Sequence, residues 1–84
     1  MRPQVDWMNQ TDDRILELLE ESELILSPAV MAKNLEYNRS WVSERLGKLV
    51  GSGLVDQVED GYYRISDRGR GYLAGEIDAD ELEN

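Results

Sequence analysis

The side chains best suited to chemistry lie between Asn38 and Lys48, and what they offer is hydrogen bonding and charge. At 100° per residue, a helix over this stretch turns Ser40, Glu44 and Lys48 to one side. Val42, Leu46, Leu49 and Val50 then line the other side, with Trp41 and Gly47 at the margins and Ser43 completing the polar set. Arg39, at the start of that helix, presents a planar fork that can donate to a pair of acceptors or clamp an anionic group. Glu44 can accept from an amino group, but a partner at i+4, Lys48, favours the local ion pair. Covalent and metal chemistry have no candidates. The chain has no Cys and no His, so thiolates, imidazole ligands and the usual general base are all missing. No serine has a histidine base, and the carboxylates fit no calcium loop. Gly51-Ser52-Gly53 and Gly69-Arg70-Gly71 do not sit between a strand and a helix of a βαβ unit, so they read as turn or capping glycines. The expectation is a chain without catalytic residues, metal or cofactor, and not an enzyme.

The polar helix sits in an unusual electrostatic setting. Eighteen acidic residues against nine basic ones give a formal charge of −9 over 84 residues, which taken alone argues against a polyanionic partner. The charges are unevenly placed, however. Lys33, Arg39, Arg45, Lys48, Arg64, Arg68 and Arg70 all lie between residues 33 and 70, where only six acids oppose them. The flanking segments, 1–32 and 71–84, are strongly acidic. An acidic surface with arginine preferred to lysine is what a cytoplasm saturated with salt would select. No apolar run approaches the roughly 20 residues of a membrane span, and the first residues lack a signal-peptide core. A cytoplasmic protein is expected.

The elements that position these residues can be read in order. Asn9 followed by Asp12 is a capping box, and Ile15, Leu16, Leu18 and Leu19 recur at helical spacing, giving a first helix from about Gln10 to Glu21. Leu24-Ile25-Leu26 is long enough only for a short strand or bridge. Ser27-Pro28 opens a second helix, about Pro28 to Asn34, expected to bury Val30, Met31 and Leu35. Asn38 or Ser40 caps the third helix, and Gly51 and Gly53 end it. Residues 54–58 and 62–65 are β-rich runs joined by a turn holding Asp60-Gly61. Tyr62 and Tyr63 must face opposite sides of that hairpin. Ser66-Asp67-Arg68 opens a short closing helix with Tyr72 and Leu73, and an acidic tail follows. The fold class is α+β, mainly α: residues 1–8 form an extension, 9–75 a folded domain and 76–84 the tail.

Helix, short strand, helix, turn, helix, hairpin and closing helix is the order of a winged helix-turn-helix. The residues carry the likeness further: Leu46-x-x-Leu49-x-x-x-Gly53-Leu54-Val55, then Tyr63-x-Ile65-Ser66-x-x-Gly69. From Asn9 to Gly75 the chain resembles MarR/ArsR-type regulators and, more narrowly, the small haloarchaeal winged-helix proteins related to the phage phi-H repressor. The resemblance implies a transcriptional regulator, most simply a repressor, that binds double-stranded DNA with its third helix in the major groove. Asn38, Arg39, Ser40, Trp41, Ser43, Glu44 and Lys48 then become the DNA-contacting set. Arg39 is placed to read guanine O6 and N7, and Glu44 either accepts from cytosine N4 or pairs with Lys48. Trp41 either packs a thymine methyl or sugar, or covers the flank of the second helix. The wing tip, Glu59-Asp60, repels phosphate, so Arg64 and Arg68 are expected to make any backbone contact from this side. Arg68 and Arg70 have an alternative in pairing with Asp67 and the tail acids.

A module this small covers one half-site, so a homodimer is expected. Its interface is assigned to Trp7, Met8, Tyr72, Leu73 and Ile77, with Leu82 extending the pattern; the competing role for these residues is to cap the monomer's own core. No ligand domain, and so no small-molecule effector, is expected. The alternative function is an acidic winged-helix module that binds a basic protein or mimics DNA.

Overall fold

The computed structural model describes residues 7–77. In chain order it holds α1 (Gln10–Ser22), α2 (Pro28–Leu35), α3 (Arg39–Gly51), β1 (Val55–Glu59), β2 (Tyr62–Ile65) and α4 (Asp67–Leu73). Each helix starts where a side-chain oxygen takes up backbone N–H groups that lack a partner in the first turn. Asn9 Oδ1 accepts from the Asp12 N–H at 3.1 Å, and Asp12 Oδ2 accepts from the Asn9 N–H at 3.1 Å, closing the capping box. Ser27 Oγ accepts from Val30 N–H ahead of Pro28, and Asn38, rather than Ser40, caps α3 through the N–H groups of Ser40 and Trp41. Ser66 Oγ accepts from Gly69 N–H to start α4 and itself donates to the Gly53 carbonyl at 2.6 Å.

Ile15, Leu16 and Leu19 of α1, Met31 of α2, and Val42, Leu46 and Leu49 of α3 are completely buried in one core. Burying a side chain of this size contributes roughly 1.5–3 kcal/mol. Val30 was expected in that core and is instead 44% exposed. The inward face of α2 is set by Met31, Ala32 and Leu35, and Val30 lies about 145° around the helix from its centre.

After α3, Gly53 takes φ +82° and turns the chain into the hairpin. The strands pair antiparallel, Val55 with Ile65, Asp56 with Arg64 and Gln57 with Tyr63, and a bulge at Val58 shifts the register so that Glu59 meets Tyr62. Gly61, also at φ +82°, makes the turn. Leu24-Ile25-Leu26 forms no strand but one bridge: Leu26 and Tyr63 exchange backbone hydrogen bonds of 2.8 and 2.9 Å. β1 packs on α3, while β2 and α4 pack on α1. Gly69 is a packing glycine rather than a turn glycine. A methyl group there would strike the Leu54 carbonyl oxygen and come within 2.7 Å of Ile65 Cγ1. The architecture is a mainly helical winged helix, with α2 and α3 as the helix-turn-helix and β1–β2 as the wing.

Candidate nucleic-acid interface

The helix-turn-helix leaves one side of α3 open. Arg39, Ser40, Ser43, Glu44, Gly47 and Lys48 are all exposed, and Ser40, Glu44 and Gly47 among them lie opposite Val42, Leu46 and Leu49 in the core. At 100° per residue, Arg39 and Ser43 form one edge of this face and Lys48 the other, with Ser40, Glu44 and Gly47 between them. No ion pair engages Arg39 among the described residues, so its five donors point to solvent at the first turn. Asn38 is exposed too, but its side-chain Oδ1 is committed to capping.

The expected ion pair between Glu44 and Lys48 does not form among the described residues; Lys48 Nζ instead lies 5.9 Å from the centre of the Trp7 ring. Trp41 is half-buried and turned to α1, where its indole Nε1–H donates to Thr11 Oγ1 at 3.0 Å. This bond joins α3 to α1, not to the flank of α2, and it occupies the indole's single donor.

The residue that sequence reasoning missed is Arg45. Its Nε donates to Asp12 Oδ1 at 2.8 Å and its Nη2 to Asp12 Oδ2 at 2.6 Å, a bidentate pair in which Asp12 is fully buried. Arg45 Nη2 also donates to the Trp7 carbonyl at 3.0 Å, and its guanidinium lies 5.5 Å from the centre of the Trp41 ring. The Asp12 hydrogen bonds raise the Arg45 pKa above its ordinary value, the Asp12 and Glu44 charges add to this, and burial opposes it. The charge on Arg45 is therefore locked into the joint between α1 and α3. One signal was available: Arg45 borders the apolar stripe beside Leu46 and follows Trp41 by four residues.

On the wing, Tyr62 faces outward at 46% exposure and Tyr63 inward, as strand alternation requires. Arg64 is exposed and lines an open cleft of about 240 Å³ with Asp56, Ile65, Asp67 and Arg70, where two carboxylates offset two guanidinium groups. Arg70 pairs with Glu20 at 3.1 Å and Asp67 at 3.6 Å. Arg68 is exposed, its stem against Gly53.

The residues assigned to a dimer interface all lie, wholly or in part, against the monomer's own core. Tyr72 is only 3% exposed, and its hydroxyl donates to Asp13 Oδ1 at 3.0 Å, so it belongs to the monomer core and adds no area to a pairing surface. Trp7, Met8, Leu73 and Ile77 are half-buried against the same core. Leu82 lies outside the described residues, as do 1–6 and most of the tail.

An open helix in the second position of a helix-turn-helix, followed by a wing, defines the class. A family model described as the winged helix-turn-helix phage repressor matches residues 1–84, and the chain belongs to that family. Among its relatives, the repressor protein of Halobacterium phage phiH is 40% identical over 87 aligned positions, covering 99% of this chain and 98% of the relative. Among solved structures, the PhiH1 repressor-like protein from Haloarcula marismortui is similar at a TM-score of 0.85 and 41% identity, covering 94% of this chain and 91% of that one.

Proposed function

We propose that this protein is a sequence-specific DNA-binding repressor that acts as a homodimer in the cytoplasm of a haloarchaeal host. The observation that carries the proposal is the outward face of α3, where Arg39, Ser40, Ser43 and Lys48 are exposed together and no ion pair among the described residues closes over them. Membership of a phage repressor family and the similarity to the phage phiH repressor support the same function. Arg39 reads a guanine through O6 and N7, Ser40 and Ser43 contact adjacent bases or phosphates, and Lys48 contacts the backbone. Glu44, unpaired with Lys48, serves as an acceptor for cytosine N4. Arg64 and Arg68 lie on the wing side and touch phosphate, while Glu59-Asp60 keeps the wing tip off the duplex. With a charge of −9, the protein gains little from non-specific attraction, so recognition rests on base contacts. Leu73 and Ile77, partly exposed near the C-terminal end of the domain, supply the pairing surface.

The test is retention of host genomic fragments in a mobility-shift assay run in molar potassium chloride. A discrete set of retained fragments with two half-sites about one helical turn apart is expected. Retention of none at any salt concentration would favour the acidic protein-binding module instead.

A further inference from the structure

We propose that Trp7 is a positioning residue of the DNA interface, holding the Lys48 ammonium on the contact face without neutralising it. The inference rests on α3 being that interface. Trp7 precedes α1, yet it is fixed to α3 twice. Its carbonyl oxygen accepts from Arg45 Nη2 at 3.0 Å, and its ring lies beneath Lys48 Nζ at 5.9 Å. Arg45 is itself anchored by both oxygens of Asp12, which closes the α1 capping box with Asn9 two residues after Trp7. Trp41, Arg45 and Lys48 follow one another at i, i+4 and i+7, so the three lie along one flank of α3, and Lys48 stands where that flank meets the open face.

The chemistry of the contact explains its use. A lysine on its four-carbon stem must be ordered before it can serve as a fixed contact, and that ordering weakens binding unless it is done in advance. Glu44, one turn away, could hold Lys48 as an ion pair but would cancel its charge; among the described residues that pair is not made. An indole face attracts the ammonium through its quadrupole and leaves the net charge for a phosphate. Arg45 fixes the tryptophan through its backbone, so the anchor does not depend on the side chain that is to be varied.

A double-mutant cycle on a retained genomic fragment tests this, using Trp7→Leu, Lys48→Ala and the pair in the full-length chain. Trp7→Leu keeps apolar bulk and removes the π face. It should weaken binding roughly two- to five-fold, the range expected of an exposed cation–π contact. Lys48→Ala should weaken binding and lower the salt slope by about 0.9. In the pair, the loss should equal that of Lys48→Ala alone, because Trp7 then has nothing to orient. Trp7→Phe, which restores a π face, should bind within about two-fold of wild type, and Trp7→Met, which keeps apolar bulk without one, replaces the leucine variant in the cycle if that variant does not fold. Losses that simply multiply in the pair would overturn the proposal, as would a change of sedimentation on Trp7→Leu, which would place Trp7 in the dimer contact. A wild-type protein that binds no DNA would overturn the interface reading together with this one. Wild-type binding weakened by Lys48→Ala, with multiplying losses, would overturn this inference alone.

Discussion

Asp12→Ala tests whether the joint between α1 and α3 is a buried charge pair whose integrity the domain depends on. Asp12 is completely buried, and its oxygens accept from Arg45 Nε, Arg45 Nη2 and the Asn9 N–H. Truncation leaves an arginine side chain that is only 14% exposed, its guanidinium still bonded to the Trp7 carbonyl, beside the Trp41 ring and under the influence of the Glu44 charge. Removing one partner of a buried pair costs roughly 3–5 kcal/mol. The lost return bond to Asn9 adds about 1 kcal/mol, overlapping with the first. The residual solvent access of Arg45 lets water take up part of the freed guanidinium and favours the lower half of the range, so the predicted loss is about 3–4 kcal/mol. A domain has roughly 0.05–0.15 kcal/mol of stability per residue, which for 84 residues is about 4–13 kcal/mol in all. The variant should therefore be folded only marginally, or in part. Urea unfolding followed by circular dichroism measures the loss as a lower midpoint at unchanged slope. Because the pair is buried, the loss should be nearly the same in roughly 0.2 M and roughly 2 M potassium chloride. Asp12→Leu combined with Arg45→Met, which removes both charges, should cost less than Asp12→Ala alone. A loss below about 1 kcal/mol, or one that vanishes in high salt, would mean that the pair behaves as a surface contact and refute the reasoning.

Two further outcomes are expected. Gly69→Ala should destabilise the domain by about 1–3 kcal/mol, because its methyl group meets the Leu54 carbonyl and Ile65; Gly47→Ala, in open space on α3, should instead stabilise it by up to about 1 kcal/mol. The same urea titration reads both, and equal effects would remove the packing role given to Gly69. Sedimentation in molar salt should show a wild-type dimer, and Ile77→Asp should give a folded monomer with weakened hold on a two-half-site fragment; a wild-type monomer at tens of micromolar would end the dimer proposal.

The parts of the fold that were legible in the sequence are those whose determinants are local. Asn9 and Asp12 are three residues apart, Ser27 directly precedes Pro28, and Asp60-Gly61 marks its own turn, so caps and hairpin could be read directly. The exposed face of α3 was legible because helical periodicity separates Ser40, Glu44 and Lys48 from Val42, Leu46 and Leu49. What was missed depends on partners distant in the chain. Arg45 meets Asp12 across 33 residues, Trp41 meets Thr11 across 30, and Tyr72 meets Asp13 across 59. The place of Arg45 beside the apolar stripe hinted that it is not a solvated charge, but nothing local names Asp12 as its partner, and Tyr72 looked available for pairing only because its partner on α1 carries no mark of it. Gly69 looked like a turn glycine because the atoms that require it belong to Leu54 and Ile65. Val30 was misplaced because three apolar residues on a helix as short as α2 leave its inward direction undetermined until α1 and α3 are in position.

The central claim is that the open face of α3 reads base sequence, and Arg39→Ala tests it most directly. The measurement is the ratio of affinities for a retained genomic fragment and for random DNA of equal length, in molar potassium chloride. A bidentate arginine–guanine contact discriminates by roughly 1–3 kcal/mol, so Arg39→Ala should reduce that ratio about five- to 150-fold. Arg68→Ala, on the wing side, should weaken both affinities alike and leave the ratio unchanged. Equal losses on both DNAs for Arg39→Ala, with the ratio intact, would contradict the account.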